Sequence, residues 1–201
     1  MTELNIPEIK PGNGRKILLL LAVIFMLPFT IAATLHLLDI RPSGKSYGAL
    51  ITPPVSLTIP ALQDAQDHVF AASNWQKKWN IVMIDRTGCD SACQATTHLL
   101  MNVHISLDKE IKRVQRILLL PAKTKAETIA DLQKQNHDLI ILVGKDEATA
   151  QFASKFEAAG KSSNIYLVDP LSNLMMQYPQ NFDPKMLRSD LVRLLKNSWA
   201  G

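Results

Sequence analysis

The chain carries two cysteines, Cys89 and Cys93, both inside the string DRTGCDSACQATTHLL, Asp85 to Leu100. Thiols four positions apart on a helix share one face. Their Cα atoms then stand about 6 Å apart, within reach of a disulfide. Such a pair can exchange with a partner's sulfurs or hold a soft ion such as Cu(I) between two thiolates. A plain structural bridge is equally compatible with the spacing, which leaves all three open. Zinc needs two further ligands, and the nearest histidines do not supply them. On a continuous helix His98 lies five residues past Cys93 and is turned roughly 140° away, while His104 lies about 16 Å along the axis. Both read as ordinary helix residues. His68 and His137 are isolated, and His36 falls in an apolar run. Met175 and Met176 are consecutive in a strand pattern, so they point to opposite faces and make no ready copper pair. The chain has no glycine-rich phosphate loop and no GxSxG elbow.

The elements that must position the thiols follow from periodicity. NIVMID, Asn80 to Asp85, reads as a buried strand. Gly88 marks a turn, and a helix is expected from Cys89 to Leu107, with Cys89 as its cap and Cys93 in its first turn. The partial positive charge of a helix N-terminus favours a thiolate there. A second strand is expected at Ile117–Leu120, stopped by Pro121, and a short helix in KAETIADLQKQN. A third strand covers Asp138–Gly144, and the helix DEATAQFASKFEAAG stops at Gly160. NIYLVDP and NLMMQY form a hairpin. A closing helix begins at Pro184, with Asp183 as N-cap. Alternating strands and helices predict an α/β domain with a mixed sheet flanked by helices. The cysteines then sit at the carboxyl end of a strand, where sites gather in open sheets. Trp75 and Trp79 are expected at the domain's edge or under the segment that leads into it.

The 201 residues divide into four stretches. Residues 1–16 form a tail and 17–38 a membrane anchor. Residues 39–70 are a linker and edge segment, and 71–201 the domain. Ile17 to Leu38 contains no Asp, Glu, Lys or Arg, and 22 residues at about 1.5 Å each cross a ~30 Å hydrocarbon core. The run continues past TIA, Thr30 to Ala32, which favours an uncleaved anchor over a signal peptide. Lys10, Arg15 and Lys16 precede it, and Asp39, Arg41 and Lys45 follow. That balance predicts a cytoplasmic N-terminus and an exported domain, in a compartment that permits disulfides. Pro53 and Pro54 restrict the linker to a sheet edge. The net charge of +4, from 22 basic and 18 acidic residues, is not concentrated in any run. No nucleic-acid partner is expected.

KKWNIVMIDRTGCDSAC resembles the segment of Sco-type proteins in which a Trp-containing stretch leads into a strand, a turn and a C-x3-C pair opening a helix. RVQRILLLPAKTKAETIADL is similar to that family's second strand and following helix. LIILVGKDEATAQFASKF and NIYLVDPLSNLMMQYPQNFDPKMLRSDLVRLL are similar to its later elements in order. The resemblance covers Trp75 to Leu195 and the anchor. It implies a membrane-anchored, thioredoxin-like domain that assists maturation of the copper centre of cytochrome c oxidase. Cys89 and Cys93 would be the working thiols and Cu(I) ligands. Copper is the only cofactor implied, and a subunit of cytochrome c oxidase or another oxidase assembly factor the partner. The location implied is the bacterial inner membrane, crossed once, with the domain in the periplasm. Of the two thiols, Cys89 is expected to attack and Cys93 to resolve. Two departures stand out. The family's distal histidine would fall in AAGKSSN, Ala158 to Asn164, which has none, and the acidic motif after the second strand is replaced by LPAKTK.

Overall fold

The computed structural model describes residues 14–38, 46–66, 68–144, 147–159 and 163–198. Lys10, Asp39, Arg41 and Lys45 beside the apolar run, and Gly160 at the expected helix stop, lie outside them. Two units result, residues 1–45 and 46–201.

The first unit holds helix α1 (Gly14–Leu37), with Pro28 inside it. Its apolar span has a mean hydropathy of 2.6, and none of that span is buried against protein. A helix with apolar side chains all round and no protein cover has the length and character of a membrane crossing.

The second unit is built on a six-stranded mixed sheet in the order β1-β8-β7-β4-β5-β6. Its strands are β1 (Ala49–Ser56), β4 (Trp79–Ile84), β5 (Val114–Pro121), β6 (Leu139–Gly144), β7 (Ser163–Val168) and β8 (Asn173–Pro179). β4, β5 and β6 are parallel. β7 runs antiparallel to β4, and β8 and β1 continue antiparallel outward. The central β4 is buried at every position. A parallel strand covered on both faces needs such a continuous apolar run. β8, nearer the edge, alternates buried with half-buried residues. Between Leu50 and Val55 the register of β1 shifts. Pro53 and Pro54 fall in that gap, on an edge strand that tolerates them. A small hairpin, β2 (Leu62–Gln63) with β3 (Val69–Phe70), covers the β6 edge through an Asp64–Leu142 bridge.

Each face of the sheet has its own core. On one face Trp79, Ile81, Met83, Leu118 and Leu120 pack against α2 (Ser91–Ile105), α3 (Ala126–Gln135) and α5 (Pro184–Asn197), and both cysteines belong to this core. On the other, Val82, Ile84, Ile117 and Leu119 meet Phe152 and Phe156 of α4 (Glu147–Ala159). Trp75 is fully buried in this second core, under Leu57, Leu62 and Phe70 of the segment that leads into the domain, the second of the two places expected for it, and not at the domain's edge. Its ring meets Phe70 and Phe152 edge-on at 6.4 and 5.4 Å, the start of an aromatic chain through Phe156 to Tyr166. Edge-to-face packing of this kind adds to area burial, and it explains why a large ring is pulled inward. Trp79 is also buried, as the first residue of β4.

The helix ends follow the expected chemistry. Asp183 accepts from the amides of Lys185 and Met186 with Pro184 in the first turn. The segment leading into β1 is clamped to α5. The amide of Gly48 donates to Oδ2 of the buried Asp190 at 2.8 Å. A side chain at position 48 would start 2.6 Å from the ring of Tyr178, so only glycine fits that approach. Burial, and then Asp190 beside it, pushes the Tyr178 hydroxyl above the usual tyrosine range.

Candidate functional site

β4 ends at Ile84, and the chain turns through Asp85–Gly88 into α2, at the carboxyl end of the parallel strands. Here Cys89 and Cys93 are joined by a disulfide with a Cα–Cα distance of 5.0 Å. The helix starts later than its sequence pattern indicates. Asp90 is the N-cap and accepts from the Cys93 amide at 3.0 Å. Cys89 lies outside the helix in the left-handed region, with φ of 62°, next to Gly88 at 104°. A non-glycine residue held there needs over-determining contacts.

Asp85 supplies them. One oxygen, Oδ1, accepts from the amides of Thr87, Gly88 and Cys89 at 2.9, 2.8 and 2.8 Å, and the Thr87 hydroxyl donates to it at 3.0 Å. Burial alone would raise the Asp85 pKa, but the Cys89, Gly88 and Thr87 amides outweigh it and hold the carboxyl below the usual range. The turn is therefore fixed by main-chain hydrogen bonds to one carboxylate, not by contact with the sulfurs. The signal for this lay in Asp-x-Thr-Gly, residue types that favour side-chain-to-backbone turns.

Both cysteines are almost fully buried, at 3% and 4% exposure. A cleft of about 310 Å³ reaches Cys93 from one side, walled by Asp85, Arg86, Thr87, Asp90, Cys93 and Thr96 among others. β7 pairs Ile165 with Met83, so the first residues of β7 lie at this same end of the sheet. The sequence has no histidine after His137.

The histidines sit elsewhere. His98 is exposed on α2. His104 is buried, and its Nδ1 lies 2.9 Å from Asp138 Oδ2, while Nε2 faces the carbonyls of Val114 and Ile111 at 2.9 and 3.1 Å. It is a residue of α2 away from the cysteines, as its spacing indicates, and it is buried against Asp138. His68 pairs with Asp64 at 3.3 Å, and His137 precedes β6 at the opposite end from the cysteines. Among the described residues no three His, Cys, Asp or Glu side chains gather as a metal site. The donor set thus fits two-coordinate Cu(I) on the reduced thiols and does not fit a site that needs an imidazole. Met176 is buried and Met175 half-buried, in keeping with opposite faces.

A family model described as "Transmembrane-like, thioredoxin-like, C-terminal domain" matches residues 79–198. No curated protein matches the chain. Among solved structures, apo Sco1 from Thermus thermophilus is 21% identical with a TM-score of 0.60, covering 78% of this chain and 98% of that one. Yeast Sco1 with copper bound is 17% identical with a TM-score of 0.58, covering 78% and 96%. BsSco, described as having a disulfide switch and as a member of the Sco family of cytochrome c oxidase assembly proteins, is 15% identical with a TM-score of 0.56, covering 73% and 96%. At such identities the likeness establishes the fold, which is thioredoxin-like and of the Sco type. The chain belongs to the transmembrane-like, thioredoxin-like family.

Proposed function

We propose that this member of the transmembrane-like, thioredoxin-like family is a membrane-anchored thiol–disulfide factor that assists assembly of the copper centre of cytochrome c oxidase. The observation that carries the reading is the Cys89–Cys93 disulfide at the β4–α2 turn, beside an open cleft and at a helix N-terminus. A structural staple has no need of a cleft beside Cys93. The dithiol form reduces a partner disulfide. One cysteine thiolate attacks, a mixed disulfide forms, and the second cysteine displaces the partner's sulfur. The two Sco-type neighbours above whose descriptions mention copper or oxidase assembly support the choice of partner: an oxidase subunit or another assembly factor. Helix α1 anchors the chain in the inner membrane. The basic residues that precede its apolar run orient the N-terminus to the cytoplasm and the domain to the periplasm.

The test is exchange between the reduced full-length chain in detergent micelles and a model disulfide. Exchange faster than that of free cysteine is expected, and it must vanish in the Cys89→Ser/Cys93→Ser form. Exchange no faster than free cysteine would sink the reading.

A second reading takes Cu(I) as cargo held by both thiolates, and the four-residue spacing at one helix end favours it. Anaerobic titration should then show one Cu(I) per chain, lost in the double serine variant. Binding that survives the double substitution would refute it.

A further inference from the structure

We propose that Cys93, the second cysteine, is the sulfur that joins the partner in the mixed disulfide, and that Cys89 is the buried leaving and resolving thiol. This rests on the reading of the pair as exchanging thiols, and it reverses the order expected from chain position.

Access decides the assignment. Cys93 is part of the wall of the 310 Å³ cleft, and Cys89 is not among the residues that line it. The loop that carries Cys89 is closed down by the three amide hydrogen bonds to Asp85, one of them from Cys89 itself. Its carbonyl also accepts from the Gln94 side chain at 3.4 Å. The Cys89 backbone cannot move outward without breaking these contacts and leaving its left-handed conformation. Cys93 sits in the first turn of α2, on the cleft wall itself, so the approach to it does not require the Asp85 turn to open.

Bond geometry then sets the roles. A thiolate attacks a disulfide sulfur through a mixed-disulfide intermediate, approaching along the axis of the bond it breaks. An incoming thiolate in the cleft forms a bond to Cys93 Sγ, the Sγ–Sγ bond breaks, and the electron pair leaves on Cys89 Sγ. That thiolate forms just ahead of the α2 N-terminus, whose partial positive charge favours it. In the forward direction the Cys93 thiolate attacks a partner disulfide and expels one partner sulfur as a thiolate. The Cys89 thiolate then attacks Cys93 Sγ, restores the bridge and expels the other partner sulfur. The partner disulfide gains two electrons, the cysteine pair loses two, and the partner thiolates take protons from solvent.

Two carboxylates, Asp85 and Asp90, stand against one guanidinium, Arg86, on the cleft walls. They favour a neutral or cationic thiol over an anionic one, so cysteamine and neutral dipyridyl disulfide are suitable probes. The full-length reduced Cys89→Ser and Cys93→Ser chains, in micelles, are each reacted with dipyridyl disulfide. The Cys89→Ser chain, which keeps Cys93, should react at least about tenfold faster. Equal rates, or a faster Cys93→Ser chain, would overturn the assignment while leaving thiol exchange itself standing. If both react more slowly than free cysteine, the exchange reading fails and this inference with it. Because a single substitution can loosen the turn, the oxidised wild-type chain is also treated with cysteamine, quenched with an alkylating agent and mapped by peptide. The account expects cysteamine on Cys93 and the alkyl group on Cys89. The reverse pattern refutes it.

Discussion

Two carboxylates bracket helix α2, Asp85 in the turn ahead of its cap Asp90 and Asp138 beside its last turn, and they are built for different work. At its start, Asp85 binds three main-chain amides and holds a turn that carries the disulfide. At its far end, Asp138 receives Arg116 and His104. Arg116 is a β5 residue at 1% exposure and also donates to Asn136 Oδ1 and the Thr97 carbonyl, at 3.3 and 3.4 Å. Burial pushes the Arg116 pKa down, but Asp138 keeps the guanidinium paired. Burial also raises the Asp138 carboxyl, and Arg116 outweighs this to leave it below the usual range. One carboxylate organises backbone at an accessible edge and never touches the reacting atoms. The other neutralises a buried cation and ties β5, the β6 approach and the end of α2 together. The difference separates holding a site from holding a fold.

Substitutions can break that separation. Asp138→Ala leaves Arg116 buried without its counter-ion and should lower stability by roughly 3 kcal/mol, the low end of such losses because the Asp138 side chain is half exposed. Urea unfolding measures this. Exchange by the folded fraction should stay unchanged, and a parallel loss of exchange would show that the two ends are coupled. Asp85→Ala removes the acceptor of three amides and should cost about 2 kcal/mol. Unlike the first change, it should let cysteamine reach Cys89, so that adducts divide between the cysteines. Gly88→Ala should cost about 1 kcal/mol. The nearest atom to an added Cβ is the Thr124 hydroxyl oxygen at 3.6 Å, so the loss comes from the positive φ and not from crowding.

Acid provides the mildest test. Both carboxyls have folded pKa values below the unfolded value of about 3.9. Between the two values the unfolded chain binds more protons, so each contributes stability that is present above about pH 4 and is lost as pH falls through its folded pKa. The acid-dependent loss of urea midpoint should shrink in both Asp85→Ala and Asp138→Ala.

Strong local patterns made much of the fold legible. The continuous apolar run of β4, the capped α5 and the β7–β8 hairpin appear where periodicity and turn residues place them, whereas β5 starts three residues before Ile117 and includes Pro121, which pairs with Gly144 instead of stopping the strand. The cysteines could be set at a strand-to-helix turn because Gly88 follows an apolar run. What escaped depends on distant partners. Arg116 falls just before the strand expected at Ile117–Leu120 and draws no role from the sequence until Asp138, 22 residues on, is brought beside it. Trp75 could be placed at the edge or under the leading segment, but its depth in the core depends on Phe152, 77 residues on. The order of access to the two sulfurs depends on three amides folding back to Asp85, a tertiary detail that the C-x3-C spacing cannot carry.

The reduction potential of Cys89/Cys93 in the full-length chain tests the account most directly. Equilibrating the chain in micelles against graded thiol–disulfide buffers, with alkylation to count free thiols, gives the value. A working pair should titrate above about −300 mV. A pair that stays oxidised below that potential would be a structural bridge, and the exchange function would be contradicted.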